Sequence, residues 1–255
     1  MMFQLRSRSM TYARYAMSLA LFFIIWEAVG RYGDVFAITP ASQALPMMVD
    51  DLVYGDLLAA TLGTLTTAAI GLAIAIVVGI PLGLLTGGTR RGGWLLEPVL
   101  NGAYATPATI LLPIIGLYLG LQLTAKVFVV FFFCVFVIAI NTASGVRSVP
   151  QPLHELGAAF GMSKWRVATQ IVLRGASPEI IMGLRLAVSR AVQGAVLADL
   201  LLQADDLGMY LIESASTFQI SRLLGGIFFI TLVATALMIT AQAMESRLLH
   251  WKLNH

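Results

Sequence analysis

Long apolar runs limit the folds open to this chain more than any other feature of its sequence. The segment from Val127 to Ile140 carries no charged side chain, and comparable stretches recur along the 255 residues. A helix of about 20 apolar residues is long enough to cross the hydrocarbon core of a bilayer. With 58% hydrophobic and 11% charged residues and a mean hydropathy of +0.86, the composition is far from that of soluble domains. We therefore expect an all-α, polytopic membrane protein.

Hydropathy predicts about six transmembrane helices, which together form one membrane domain over residues 15–245. Residues 1–14 precede this domain, residues 246–255 follow it, and a polar loop interrupts it at about 146–178. The six spans are expected at roughly 15–30, 60–86, 98–121, 125–145, 179–202 and 223–245.

The distribution of charge predicts the orientation of the spans. Basic residues precede span one, follow span six, and lie between spans two and three and between four and five, whereas the other loops are mostly acidic. The positive-inside rule then places both termini in the cytoplasm of a bacterial cell, with the chain in the inner membrane. A cleaved secretory signal ending near Ala37 is the alternative, but it would leave five spans and break this match. The net charge of +3 is too small and too scattered to indicate a nucleic-acid partner.

The polar loop between spans four and five is longer than a connection needs to be. It contains a short amphipathic segment around Glu155, a break at Gly161, and a second segment with Lys164, Trp165 and Arg166. A helix, a glycine turn and a basic, aromatic helix are typical of a docking surface for a soluble partner. Ser177, Pro178 and Glu179 then predict the start of span five, with Ser177 as the capping residue.

Two further patterns concern packing and the membrane path. Small residues recur every four positions along span two, including Gly71, Gly79 and Gly83, so they form one groove on the helix. This groove indicates either tight packing within the subunit or contact with a moving or neighbouring helix. Prolines at 107 and 113 free backbone carbonyls inside the bilayer, which favours either a pathway-lining helix or a structural kink.

These residues resemble those of ABC importer permeases, in the branch that handles sulfonates, taurine, nitrate and related small solutes. The family's cytoplasmic motif runs Glu-Ala-Ala, three residues, Gly, about nine residues, Ile-x-Leu-Pro. Glu155, Gly161, Ile171 and Leu173 match it, whereas Leu156 and Gly157 replace the alanines and Arg174 replaces the proline. Further matches are spread over about residues 60–210 and include Gly79-Ile80-Pro81-Leu82-Gly83, Leu96-Glu97-Pro98, Pro107, Pro113, Thr124-Ala125-Lys126 and Gly183-Leu184-Arg185.

The resemblance implies the partners of this chain. A second permease, identical or paralogous, would complete the pathway, two ATP-binding subunits would bind beneath, and a periplasmic binding protein would deliver the solute. ATP and Mg²⁺ would be held by the ATP-binding subunits and no cofactor by this chain. The coupling helix that contacts the ATPase would comprise Glu155, Ala158, Ala159, Phe160, Gly161, Met162, Ser163, Lys164, Trp165 and Arg166. A surface helix lying on the lipid headgroups is the alternative for this segment.

Arg190 is the strongest candidate for contact with the solute. It falls about 16 Å into span five, near the bilayer midplane, where an arginine is costly unless it is paired or hydrated. Gln193 lies on the same face, and the two could present a cation and an amide to a carboxylate or sulfonate. The alternative is a structural ion pair of Arg190 with Asp199, Glu97 or Glu27.

Other polar residues in the spans receive weaker assignments. Asn141, Tyr104 and Pro107 are further candidates for the lining of the pathway. Gate or packing roles are expected for Arg185, Asp199, Gly79 and Gly83.

The sequence argues against several other functions. Neither metal-ligand spacing nor a phosphate-binding Gly-x4-Gly-Lys-Ser/Thr loop occurs, and no nucleophile is paired with a base, so we expect neither a metal site nor an enzyme. An ion-gradient-driven secondary transporter or channel is the alternative function, but it predicts internal repeats and paired titratable groups. The solute itself is not specified: nitrate, sulfonates, carboxylates and heterocycles are all compatible, and Arg190 favours anions.

Overall fold

The computed structural model describes residues 2–33, 38–202 and 205–249, and the regular secondary structure in these ranges is entirely helical, as predicted. The signal-cleavage alternative near Ala37 and the tail from His250 onwards lie outside the described residues. The helices are α1 (Met2–Tyr32), α2 (Ala41–Val53), α3 (Leu57–Gly88), α4 (Arg90–Ala105), α5 (Leu112–Leu119), α6 (Leu123–Ser148), α7 (Gln151–Ala159), α8 (Lys164–Arg166), α9 (Leu173–Gly175), α10 (Ser177–Leu201), α11 (Leu207–Ser216) and α12 (Ile220–Leu248). A 3₁₀ turn at Ala108–Leu111 precedes α5, and a π-helical stretch at Val167–Val172 joins α8 to α9.

Four described helices are long and apolar enough to cross a membrane: α3, α6, α10 and α12. They contain the predicted spans two, four, five and six almost entirely. The first predicted span lies within α1, and its crossing of the membrane stays a prediction.

The third predicted span is not one continuous helix. Helix α4 and the segment Ala108–Leu119 meet at an angle of 86°, so residues 98–121 form either a broken span or a re-entrant loop. Thr106 adopts an extended backbone conformation (φ −71°, ψ 126°), as expected for a residue before proline, and Pro107 has no backbone N–H to continue the helix. The bend agrees with the structural kink that Pro107 and Pro113 suggest, whereas a role of this segment in lining the pathway stays a prediction.

By its internal contacts the chain divides into two compact units, Met1–Ala59 with Tyr210–Ile230, and Ala60–Met209 with Thr231–His255. In the second unit α6 and α10 form the central helix pair. Val130, Cys134 and Ile138 of α6 are fully buried in the same cluster as Ala187 and Ala195 of α10. Small residues on α10 allow the helices to approach closely, which matters in a membrane because dispersion contacts replace the hydrophobic drive for helix association.

The glycine groove of α3 packs on α6 within the same subunit. A Cβ built on Gly79 would lie 3.0 Å from the Ile138 side chain, and one on Gly83 would lie 2.5 Å from the carbonyl oxygen of Ala139. Gly71 faces Val130 in the same way. The four-residue spacing therefore serves tight packing inside the subunit, which was the first of the two interpretations of the sequence.

In the first unit a polar cluster joins α2, α11 and α12. The Tyr210 hydroxyl donates to Asp51 Oδ2 at 2.6 Å, and Arg222 Nε donates to the same oxygen at 3.0 Å. The Arg222 guanidinium also lies 4.5 Å from the centroid of the Tyr210 ring. Burial, and then the Asp51 carboxylate, raise the pKa of Tyr210 above its ordinary value, so the phenol stays protonated and remains the donor.

Candidate functional site

The loop between α6 and α10 forms an elbow, defined as residues 151–176. Helix α7 ends at Ala159, and the chain reverses through Gly161, whose φ of +67° is in the left-handed region. The Met162 N–H donates to the Gly157 carbonyl at 3.0 Å, and Ser163 Oγ caps the next helix by accepting from Arg166 N at 3.4 Å. The arrangement of helix, glycine turn and helix is the one that the sequence predicts.

The outer surface of the elbow combines two exposed aromatic rings with charge. Phe160 and Trp165 are 77% and 76% exposed, and Met162 is half-buried. The remaining described residues of the predicted coupling set are exposed: Glu155, Ala159, Gly161, Ser163, Lys164 and Arg166. The side chain of Ala158 lies outside the described part. Large apolar side chains that are exposed close together on a surface mark interaction sites more often than free surfaces.

The inner side of the elbow is fixed to the membrane helices. Val172 and Ala176 are buried in one cluster with Val146 of α6 and Ile180 of α10. Ala176 leads directly into α10 with a helical backbone, so Ser177 is the first helical residue and its hydroxyl donates to the Arg174 carbonyl at 2.7 Å. The prediction of Ser177 as the capping residue was therefore wrong, since the chain enters α10 from a helical turn. A force on the elbow can thus reach α10 without a flexible joint.

Gly157 explains one departure from the family's cytoplasmic motif. A Cβ on this residue would lie 2.9 Å from Val167 Cγ2 and 3.0 Å from Ile171 Cδ1. These contacts are tighter than ordinary packing, so glycine in place of the second alanine lets α7 lie close against the π-helical stretch.

Arg190 opens into a cavity of about 420 Å³ in the second unit. It lies thirteen residues after the start of the 25-residue helix α10, or about 20 Å along it, and thus near the middle of the predicted span. The side chain is exposed, and none of the described residues forms an ion pair or hydrogen bond with its guanidinium. The cavity, here called the Arg190 cavity, is lined by Ala103, Tyr104, Ala105, Thr106, Pro107, Ala108, Thr109, Phe132, Phe133, Phe136, Arg190 and Leu197.

The carboxylates considered as partners of Arg190 are engaged elsewhere. Asp199 forms an ion pair with Lys126, Glu97 with Arg147, and Glu27 with Arg31. The structural-pairing alternative for Arg190 is therefore absent from the described residues. A charged side chain at this depth needs water, protein or solute as its partner, because hydrocarbon supplies none.

The structure brings only some of the predicted pathway residues together. Tyr104 and Pro107 lie at the break between α4 and α5 and face the same cavity as Arg190. Gln193 is exposed on α10 but is not part of the cavity lining. Asn141 donates to the Val137 carbonyl at 2.8 Å and packs against Gly183, so it belongs to the contact between α6 and α10.

A buried charge network, which the sequence does not reveal, surrounds Asp199. Lys126 Nζ lies 2.9 Å from Asp199 Oδ1 and 2.5 Å from Asp206 Oδ2, and the Thr64 hydroxyl donates to Asp199 Oδ2 at 2.6 Å. Asp199 is fully buried, and Leu207 N donates to Thr64 Oγ1 at 3.2 Å. Lysine and aspartate at the ends of two apolar helices were the available signal, since such charges are costly unless they are paired.

The other gate-or-packing candidates also lie in packed positions. Arg185 Nη1 donates to Glu245 Oε2 at 2.8 Å, which links α10 to α12 within the second unit. Gly79 and Gly83 lie in the contact of α3 with α6. Among the described residues there is no group of three or more His, Cys, Asp or Glu side chains that could hold a metal ion.

Comparison with known proteins identifies a family that this chain matches. The model of a family described as "binding-protein-dependent transport system inner membrane component" matches residues 79–250, which is more than half of the chain. A putative aliphatic sulfonates transport permease of Bacillus subtilis (strain 168) is 24% identical over 235 residues, covering 91% of this chain and 85% of that protein. A formylaminopyrimidine transport permease of Halalkalibacterium halodurans is 28% identical over 241 residues, covering 93% and 96% respectively.

A solved structure supports the same fold. A chain of the MetNI methionine ABC transporter, in an inward-facing conformation, superposes with a TM-score of 0.64 and 16% identity. The match covers 72% of this chain and 92% of that one. At this level of identity the likeness concerns the arrangement of helices alone.

Proposed function

The chain belongs to the family of binding-protein-dependent transport system inner membrane components, and from this we propose that it forms the membrane path of an ATP-driven importer for a small anionic solute. A periplasmic binding protein delivers the solute, and a second permease, identical or paralogous, completes the path. A separate ATP-binding subunit, in two copies, hydrolyses ATP. Both termini of this chain then lie in the cytoplasm.

The guanidinium of Arg190, which has no ion-pair or hydrogen-bond partner among the described residues, is the observation that carries the solute assignment. It lies near the middle of an apolar helix and opens into a cavity instead of meeting a carboxylate. Arginine offers five donors in a fixed fork that matches the oxygen atoms of carboxylates and sulfonates. An anion that passes this point can accept hydrogen bonds from the guanidinium. The Arg190 cavity is therefore a transient binding site on the transport path. The sulfonate named for the relative from Bacillus subtilis agrees with a solute of this charge.

Coupling to the ATPase is assigned to the elbow. Phe160 and Trp165 project from a rigid turn, with Glu155, Lys164 and Arg166 exposed around them. Aromatic residues surrounded by charge are typical of interface hot spots, where a few side chains supply most of the binding energy. Because Val172 and Ala176 anchor the elbow to α6 and α10, closure of the ATPase turns these helices as rigid bodies.

The solute role is tested by replacing Arg190 with alanine in the assembled transporter. Since a hydrogen bond to a charged group contributes about 1.5–3 kcal/mol, uptake of a solute that the binding protein captures should fall at least tenfold. Co-purification with the ATPase should persist. Arg91→Ala, which removes another exposed arginine, at the start of α4, is the matched control and should leave uptake unchanged. Normal uptake by the Arg190 variant would show that the solute does not need the Arg190 cavity for transport.

The coupling role is tested by Trp165→Ala, with Trp94→Ala as its control. Both indole rings are largely exposed, at 76% and 80%, but only Trp165 lies on the elbow. A hot-spot loss of about 2 kcal/mol or more weakens capture of the ATPase at least tenfold. We expect this loss for Trp165→Ala alone, measured as ATPase recovered with the purified permease. Equal recovery with both variants would contradict the docking surface.

A further inference from the structure

The wall of the Arg190 cavity is aromatic on the side formed by α6. Phe132, Phe133 and Phe136 line it, and the rings of Phe132 and Phe136 meet edge to face with centroids 4.9 Å apart. Such rings attract apolar or planar groups and give little to a hydrated ion. The cavity therefore has one wall suited to an apolar body.

The rest of the lining supplies a single charge and a few hydroxyl groups. Arg190 is the only charged side chain among the described lining residues, and Tyr104, Thr106 and Thr109 carry the hydroxyl groups. The Thr106 hydroxyl already donates to the Gly102 carbonyl at 2.9 Å, so it faces a ligand mainly as an acceptor. Only one end of a ligand can therefore be anionic and satisfied in this cavity.

The size of the cavity distinguishes between classes of anion. Its volume of about 420 Å³ lies within the range of roughly 300–1,000 Å³ that is typical of small-molecule sites. A bare inorganic oxyanion would contact Arg190 and leave most of this space to water. On the side that faces the phenyl rings it would lose hydrogen bonds to water, and the rings offer none in return.

We infer that the solute is an organic anion, whose sulfonate or carboxylate group binds Arg190 and whose planar apolar or aromatic body packs against Phe132, Phe133 and Phe136. This inference rests on the proposed solute role of the Arg190 cavity and narrows it to one chemical class. Inorganic oxyanions such as nitrate or bicarbonate fit only the arginine end of the cavity. Neutral aromatic compounds fit only the phenylalanine end.

The experiment measures binding of four probes to the purified permease–ATPase complex, by the probe concentration that raises the thermal midpoint by the same fixed amount. The probes are benzenesulfonate, methanesulfonate, nitrate and benzyl alcohol. Benzenesulfonate should act at a concentration at least tenfold lower than any of the other three, because only this probe fills both ends of the cavity. A ligand that binds the folded complex but not the unfolded chains raises the thermal midpoint of the complex. The assay therefore measures binding without a transport measurement.

Two variants assign this preference to the cavity. Phe136→Leu keeps an apolar side chain but removes the ring, and it should reduce the advantage of benzenesulfonate over methanesulfonate at least threefold. Phe128→Leu, on the same helix but outside the cavity lining, is its matched control and should change nothing. Arg190→Ala should abolish the response to benzenesulfonate, whereas Arg91→Ala should keep it. Each variant must elute as a monodisperse complex before its binding is compared.

Two results would overturn the inference and are distinguishable from each other. If nitrate and methanesulfonate bind as tightly as benzenesulfonate, and all three need Arg190, the cavity binds anions without selecting an aromatic body. The proposed function then stands and the inference falls. If instead no probe responds to Arg190→Ala, the cavity is not an anion site, and the solute assignment of the proposed function falls with the inference.

Discussion

Replacement of Lys126 by methionine tests the buried charge network most directly. Methionine keeps the length and apolar stem of lysine but removes the ammonium group that faces Asp199 at 2.9 Å and Asp206 at 2.5 Å. Asp199 is fully buried, so its carboxylate would lose its cation while it stays shielded from bulk solvent. The Thr64 hydroxyl would remain as a donor at 2.6 Å. One neutral hydrogen bond does not compensate a buried charge.

The structure sets the expected magnitude. Removal of one partner from a buried ion pair costs about 3–5 kcal/mol, because the other charge is left uncompensated. For a chain of this size each kcal/mol lowers the thermal midpoint by about 2–4 °C, so the expected loss is about 6–20 °C. Arg147→Met is the matched control, since the Arg147–Glu97 pair is also close, at 2.5 Å, but has side chains 43% and 42% exposed. An exposed pair of this kind contributes only about 0–1 kcal/mol.

The assay follows loss of the monodisperse species on heating, in the same detergent for every variant. A second substitution, Asp199→Leu in the Lys126→Met background, should recover part of the loss, because it removes the stranded carboxylate and leaves only Asp206, which is a quarter exposed. The reasoning is refuted if Lys126→Met lowers the midpoint no more than Arg147→Met does. It is also refuted if the two substitutions in the network destabilise the protein additively.

Three glycines give further predictions, each checked by the thermal midpoint of the purified complex. Gly83→Ala should destabilise by about 1–3 kcal/mol, because its Cβ would lie 2.5 Å from the backbone oxygen of Ala139, which cannot move aside. Gly157→Ala should cost less, about 0–1 kcal/mol, because the methyl groups that crowd its Cβ at 2.9 and 3.0 Å belong to side chains that can shift, and alanine favours the helix. Gly161→Ala should cost about 1–2 kcal/mol because φ is +67°, and should weaken ATPase capture if the turn sets the elbow. A larger loss for Gly157→Ala than for Gly83→Ala would contradict this packing analysis.

Hydropathy predicted most of the helical architecture because the relevant information is local. Helices α3, α6 and α12 each contain an apolar run long enough to span a bilayer, and the length needed to cross a bilayer is fixed by the helix rise. For residues 98–121 hydropathy gave the apolar run and the prolines suggested a kink, but the size of the bend could not be predicted because hydropathy does not report direction. A run of apolar residues looks the same whether the chain continues or turns by 86° at Pro107.

The contacts of the site were less accessible to sequence analysis because they join distant positions. Lys126 and Asp199 are far apart in the chain, and each alone looks like a charge at the edge of a span. Ser177 shows a different limitation. The local sequence Ser-Pro-Glu predicted a capping residue, but the residue before it already has a helical backbone, so no cap forms. The turn at Gly161 was predictable, because a glycine between two amphipathic segments is typical of a helix end with a left-handed backbone, and Gly161 has that conformation.

Lys126 and Arg190 are two cations of the second unit that lie on membrane-spanning helices but have different surroundings. Both cations lie on helices that are apolar enough to span a bilayer, and each would be costly there without a partner. Lys126 meets two carboxylates and is almost fully buried, whereas Arg190 opens into a cavity and meets none among the described residues. The first arrangement serves stability and needs nothing from outside the chain. The second leaves the guanidinium without an acceptor in the described part of the chain, so it is open to water or to the anion that we propose to pass this cavity.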